Sequence, residues 1–176
     1  MNVKKLKNTV IEIVHGGIIT MNADVIVIPS KTSLRMDSGV SAALKAKGGA
    51  EIETQAIQKA PAKAGTVVYT GAGKLDAKYL IHAVVEDAYS LKKAEYVKKT
   101  FGNSLILAEK LKMQTVMFSA LGTGARGLTP EKSAEIMFGE AAAFDAGCPG
   151  YIKRIYFVLF AKRAFDSFME KFRVMK

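Results

Sequence analysis

The stretch Ser119-Ala120-Leu121-Gly122-Thr123-Gly124-Ala125-Arg126-Gly127-Leu128 has the composition of a phosphate-cradling loop. Gly122, Gly124 and Gly127 let the backbone take positive φ and let a ligand approach with no Cβ in the way, so that successive N–H groups can converge on an anion. Thr123 adds a hydroxyl and Arg126 a guanidinium, whose planar fork suits phosphate better than an ammonium does. Charge-assisted bonds of this kind are roughly twice as strong as neutral ones. The ligand contacts expected from this stretch are Leu121, Gly122, Thr123, Gly124, Ala125, Arg126 and Gly127. A plain glycine turn with no ligand would carry the same letters.

Those letters also spell G-x-G-x-x-G, the dinucleotide fingerprint. That motif requires a helix opening inside the glycine run and an acidic residue about 20 residues on, at the end of the next strand. Here Thr129-Pro130 reads as an N-cap and first helical residue, with Glu131 in the first turn, so the helix opens after the glycines. The next apolar run, Ile155 to Phe160, ends in Ala161-Lys162-Arg163 without a carboxylate. A nicotinamide dehydrogenase is therefore disfavoured.

The elements that position this loop alternate between strand and helix. Thr9 to Val14 is β-branched and alternating, a strand ending at His15-Gly16-Gly17. Asp24 to Ile28 is continuously apolar and closed by Pro29, the pattern of a strand buried on both faces. After a loop from Ser30 to Ser38, helices are expected over Gly39 to Lys47 and Glu51 to Ala60, punctuated by Gly48-Gly49 and Pro61. Strands follow at Thr66 to Thr70 and Tyr79 to Val85. Ser90 is read as the cap of a long helix with Leu91, Ala94, Val97, Phe101, Leu105, Ala108 and Leu111 on one face. The Thr115 to Phe118 strand enters the glycine loop, and Pro130 to about Ala146 leaves it as a helix ended by Gly147. Ile152 to Phe160 is the last strand, and Phe165, Phe168, Met169 and Phe172 give the last helix its apolar face.

Alternation of this kind predicts an α/β sandwich with a mostly parallel sheet covered on both faces. Ligands in such sheets bind beyond the carboxyl ends of the strands. Three glycine-bearing turns fall there, His15 to Ile18, Asp37 to Val40 and Gly122 to Gly127, and together they could line one crevice. With 176 residues, one domain spanning 1–176 is expected.

Composition narrows the chemistry. Hydrophobic residues make up 49% and charged residues 24%, an ordinary globular balance without a disordered signature. No apolar stretch reaches the length of a membrane span, and Met1 to Lys7 lacks the apolar core of a signal peptide. The lone Cys148 cannot form an internal disulfide and suits a reducing cytoplasm. With two histidines and one cysteine no usual zinc set can be assembled, so neither a metal nor a cofactor is expected. The net charge of +10 attracts polyanions, nucleic acid included. Its lysines are scattered along the chain without interleaved aromatics, and read as solvated faces. The sequence leaves the oligomeric state open.

In order and spacing, these turns resemble the macro domain, an ADP-ribose-binding module, from about Val10 to Phe144. The family's opening pattern is echoed by Val14-His15-Gly16-Gly17-Ile18, Asp24-Val25-Ile26-Val27, Ile28-Pro29-Ser30-Lys31 and Asp37-Ser38-Gly39-Val40. Its middle is echoed by Gly65, Thr70, Ala72-Gly73, Leu75 and Ile81-His82-Ala83-Val84. Its second phosphate loop is echoed by Ala120 to Gly124 with Gly127. The resemblance implies a three-layer α/β/α sandwich with a mixed, mostly parallel central sheet. It also implies ADP-ribose or a related phosphorylated ribonucleotide as ligand, held additionally at Gly17, Ile18, Ser38, Gly39, Val40 and Ser41.

There are departures from the family pattern. Gly17 stands where members hold the adenine amino group with an aspartate, and Ile28 and Lys31 stand where they have asparagines near the distal ribose. The acidic residue that hydrolytic members use is replaced by Ser41 or Ala42, and a lysine-dependent branch would need a lysine and an aspartate where Ala83 and Arg126 stand. Asp37 is the carboxylate left in the first loop. It is a candidate general base for hydrolysis of an ADP-ribosyl or phosphate ester, or else an N-cap. His82 reads as a hydrogen-bonded core histidine, and His15 as a residue at the rim of the crevice.

Overall fold

The apolar run beginning at Val25 lies near the middle of the sheet, and its residues alternate between two cores. Val25 and Val27 pack with Phe101 and Phe138, whereas Ile26 and Ile28 pack with Leu44 and Ile52. The computed structural model describes residues 2–86, 91–125 and 127–175. Among these, the strands are β1 (Val3–Lys5), β2 (Val10–His15), β3 (Val25–Lys31), β4 (Val67–Gly71), β5 (Tyr79–Glu86), β6 (Thr115–Phe118) and β7 (Arg154–Leu159). The helices are α1 (Gly39–Gly48), α2 (Glu51–Ile57), α3 (Lys93–Lys110), α4 (Pro130–Ala146) and α5 (Lys162–Val174).

One sheet runs β1-β2-β7-β6-β3-β5-β4. The edge strands β1 and β4 are antiparallel to their neighbours, and the pairings between are parallel. Helices α1 and α2 cover one face. Helices α3, α4 and α5 cover the other, over a cluster in which Phe101 meets Phe118 at 4.3 Å and Phe138 meets Phe157 edge-on at 4.9 Å. The mixed three-layer sandwich is thus the one the sequence implied. No described helix is long and apolar enough to cross a membrane.

Several boundaries differ from expectation for physical reasons. β3 does not stop at Pro29 but continues to Lys31, still pairing with β5. Its partner on the other side, β6, ends opposite Val27. Alternate residues of a strand turn their N–H to the same side, so the missing N–H of Pro29 falls where no ladder remains to be broken. Leu91 lies before α3 and is fully exposed rather than on its apolar face; Ser90, read as the cap, lies outside the described residues. Phe160 lies beyond β7 and is 84% exposed. β1 was not legible in the sequence; its Lys4 reaches back to the carbonyls of Phe172 and Met175 at the end of α5.

Candidate functional site

The chain leaves β3 toward α1, α2, β4 and β5 on one side of the sheet order, and leaves β6 toward α4 and β7 on the other. Adjacent strands whose connections diverge in this way open a crevice at their carboxyl ends. The two loops leaving them are Thr32 to Ser38, which leads into α1, and Ser119 to Thr129, which leads into α4.

The second loop is folded tightly on itself. Gly127 N–H donates to the Gly124 carbonyl and Leu128 N–H to the Gly122 carbonyl, both at 2.7 Å. Gly122 has φ +74°, and a Cβ there would lie 2.5 Å from Val97 Cγ2. A Cβ on Gly127 would lie 2.7 Å from the Gly124 carbonyl oxygen and collide with that of Gly122. Glycine is therefore demanded at 122 by its positive φ and at 127 by the loop's own closure. Closure takes up the N–H groups of Gly127 and Leu128, which moves any convergence on an anion to the more exposed Thr123 to Ala125 segment.

The Thr123 hydroxyl donates to the Ala120 carbonyl at 3.1 Å and stabilises the turn. Leu121 is fully buried, its carbonyl accepting from Ser133 Oγ at 2.7 Å. Thr129 caps α4 by accepting from Lys132 N–H at 3.3 Å, with Pro130 in the first turn, as the sequence predicted. Arg126 lies outside the described residues. At the root of the loop, Ser119 Oγ is buried with no hydrogen-bond partner among the described residues.

The first loop is held differently. Lys31, the last residue of β3, donates from Nζ to Asp37 Oδ1 at 2.9 Å across an exposed ion pair. That hydrogen bond holds the Asp37 carboxyl below the usual carboxylate range and raises the Lys31 ammonium, with Glu86 adding to the field on Lys31. Ser38 occupies the N-cap position of α1 without a side-chain cap bond, and its carbonyl accepts from Ser41 Oγ at 2.7 Å. Gly39 has φ +56° with open space around its missing Cβ, and Val40 is half-buried. Ile28 is fully buried under α1, so it presents nothing to the crevice.

Glu86 went unnoticed in the sequence. As the last residue of β5 it pairs opposite Lys31, after a shift in register at Ser30. It lines a narrow cleft with Val85, Lys93, Gly122, Gly124, Ala125 and Gly127. Only the register between two distant segments brings it there, and no local pattern announces it.

The third turn, after β2, lies on the far side of β7 from the glycine loop. Ile18 is buried in the core with Ile26 and Leu44, so its side chain is a packing element. Gly17 precedes a short 3₁₀ turn, Ile18–Thr20. Exposed His15 stacks on Phe165 with centroids 5.0 Å apart. Gly16 N–H donates to the Leu159 carbonyl at 3.0 Å, which sets Gly16 level with exposed Phe160. Exposed Phe160 and the His15–Phe165 stack therefore lie at the same end of β2 and β7 as the glycine pair, and the sequence signal for Phe160 was an aromatic at a strand end.

His82 is fully buried in β5, with Nδ1 3.4 Å from Ser30 Oγ and Nε2 3.2 Å from Thr70 Oγ1. Burial pushes its pKa down to about 4, with a smaller contribution from Lys59. It is a neutral structural strut, as expected. At the opposite end of the sheet a larger groove of about 470 Å³ is lined by Asn22, Asp24, Asp76, Lys78, Thr115 and Tyr156, among others. Its Asp24 already serves the fold, pairing with Lys78 at 2.8 Å and accepting from the N–H groups of Gln114 and Thr115. Among the described residues no group of His, Cys, Asp and Glu is placed to hold a metal ion.

The macro domain family model matches residues 27–137. An uncharacterized protein of Aquifex aeolicus is 38% identical over 139 residues, covering 78% of this chain and 84% of that protein. A macro domain-containing protein of Caldanaerobacter subterraneus is 30% identical over 168 residues, 92% of this chain and 95% of that one. Among solved structures, the Oceanobacillus iheyensis macrodomain with ADP superposes with a TM-score of 0.88 at 22% identity, covering 97% of this chain and 94% of that chain. The Trypanosoma brucei macrodomain in complex with ADP-ribose gives 0.84 at 21% identity, covering 92% and 68% respectively. The divergent connections of β3 and β6, the closed glycine loop after β6 and these matches agree, and the chain belongs to the macro domain family.

Proposed function

We propose that this chain, acting as one domain in the cytoplasm, binds ADP-ribose or a related phosphorylated ribonucleotide derivative in the crevice between the starts of α1 and α4. The observation that carries this reading is the Gly122 to Gly127 loop, closed by its own carbonyls at the carboxyl end of a central parallel strand. In this reading backbone N–H groups around Thr123 to Ala125 and at Gly39 to Ser41 grip the diphosphate, with Arg126 as a further donor. The base rests on exposed Phe160 or His15 at that end of β2 and β7, where stacking takes the place of the hydrogen bond that Gly17 cannot make.

Hydrolysis with Asp37 as general base is the weaker reading. A carboxylate already accepting from Lys31, with its pKa lowered, is a poorer base than an ordinary one. A dedicated nucleic-acid surface is also less favoured, because many of the lysines pair with carboxylates of their own surface, as in Lys98 with Glu140 and Lys99 with Glu95.

Calorimetric titration with ADP-ribose, at two salt concentrations, tests the reading. One-site binding that is lost in Gly124→Glu is expected. No saturable binding at millimolar ligand would overturn it.

A further inference from the structure

The two edges of the sheet, β1 and β4, differ in what they offer to another strand. β1 is three residues long and two of them, Lys4 and Lys5, are charged, which discourages further pairing. β4 reads Val67-Val68-Tyr69-Thr70-Gly71, with neither a charge nor a proline, and an edge of that composition is a template for a new strand. Just before β4, the Thr66 carbonyl accepts from Val84 N–H at 3.0 Å. Backbone groups alternate in direction along a strand, so Val68 and Thr70 also face β5, whereas Val67, Tyr69 and Gly71 turn their N–H and C=O groups outward.

Two side chains, one on α2 and one just after it, reach over this outward edge. Gln55 Oε1 accepts from Gly71 N–H at 2.9 Å, and Lys59 Nζ donates to the Tyr69 carbonyl. The Lys59 ammonium also lies 4.7 Å from the centre of the Tyr69 ring. An acceptor on one N–H and a donor on the C=O two residues earlier are what the backbone of an added strand would supply. Helix α2 is already anchored by Ile52 and Ala56, both fully buried, so the fold does not need these two polar bonds to place it.

The strand that fits this edge is β4 of a second copy. Antiparallel pairing about a twofold axis at Tyr69 sets Tyr69 opposite its counterpart and Val67 opposite Gly71, and each outward N–H then meets an outward C=O. The same pairing would bring the two Lys59 ammoniums together beside the axis, because each lies over its own Tyr69 ring, and like charges so placed repel. We propose that Gln55 and Lys59 form a guard that occupies the outer edge of β4 and keeps two copies of this chain from joining their sheets there.

The experiment is sedimentation velocity on the full chain across a range of concentrations, for wild type and for the double variant Gln55→Ala/Lys59→Ala. The double variant is expected to self-associate at least about tenfold more tightly than wild type. Adding Tyr69→Pro, which removes an outward N–H and leaves the β5 ladder intact, is expected to restore wild-type behaviour. Lys110→Ala, which removes an exposed charge at the end of α3, is expected to behave as wild type. Equal association of wild type and the double variant would overturn the proposal. So would association that survives Tyr69→Pro, or an equal gain in Lys110→Ala. Amide hydrogen exchange on dilute protein reads the guard without any association. There Gln55→Ala is expected to speed exchange at Gly71 N–H at least about fivefold, while Val68 and Thr70, which face β5, keep their wild-type rates. An unchanged rate at Gly71 would overturn the guard.

Discussion

The two loops that frame the crevice are built on opposite principles. The loop after β6 is locked by its own backbone: two 2.7 Å bonds close it, and Gly122 and Gly127 leave no room for a side chain. The loop before α1 is locked from outside, by an exposed ion pair between Lys31 and Asp37 and by Ser41 bonding back to Ser38. Bonds between neutral backbone groups persist in salt, whereas exposed ion pairs are screened. The crevice thus has one rigid wall and one adjustable wall.

Substitutions can break this contrast, and the largest effect should come at Gly127. Gly127→Ala places a methyl group against two carbonyl oxygens of its own loop. It is expected to lower stability by more than about 3 kcal/mol in chemical denaturation, and to abolish calorimetric ADP-ribose binding. A stable variant that still binds would show the second loop to be as adjustable as the first.

The next effect concerns the ground beneath the first wall, where His82 meets Ser30 of β3 and Thr70 of β4. Its folded pKa of about 4 lies below its unfolded value of 6.5. Between those values the unfolded chain binds a proton that the folded chain does not, so stability falls as the pH drops from about 6.5 toward 4. The full loss attributable to this group is roughly 3 kcal/mol, and urea denaturation at pH 7 and pH 4.5 should reveal most of it. A variant with His82→Phe should lack that slope, whatever its stability at pH 7.

Gly39→Ala sharpens the comparison, because it introduces a methyl group into open space at φ +56°. The cost should be the left-handed backbone penalty alone, about 1–2 kcal/mol, with ADP-ribose affinity retained. A loss as large as that of Gly127→Ala would mean that both walls are rigid. The smallest effect is expected from Asp37→Asn. Removing one partner of an exposed pair should change stability by less than about 1 kcal/mol and leave ADP-ribose affinity undiminished. A large loss of affinity would make Asp37 a ligand contact.

The legibility of the chain was uneven, in an instructive way. Thr129 and Pro130 could be assigned from letters alone, because a cap is a local hydrogen bond between residues three apart. The continuous burial of Val25 to Ile28 was legible because strands covered on both faces are apolar at every position. Leu91 misled because an apolar letter at helical spacing says nothing about whether the helix has begun. The bond from the Thr123 hydroxyl to the Ala120 carbonyl was not legible, because only the folded turn brings that carbonyl within reach.

By itself, the sequence determined the order of strands and helices from β2 onward, the two cores flanking the sheet, and the glycine loop at the carboxyl end of β6. Periodicity, capping and backbone freedom are local, and they are written where they act. Only the tertiary structure decided that β3 outlasts β6 past Pro29, that Ile18 and Ile28 face the core, and that Glu86 comes to rest between Lys31 and Gly124. Those placements follow from strand register between segments tens of residues apart, and a register is fixed by the packing of the whole sheet.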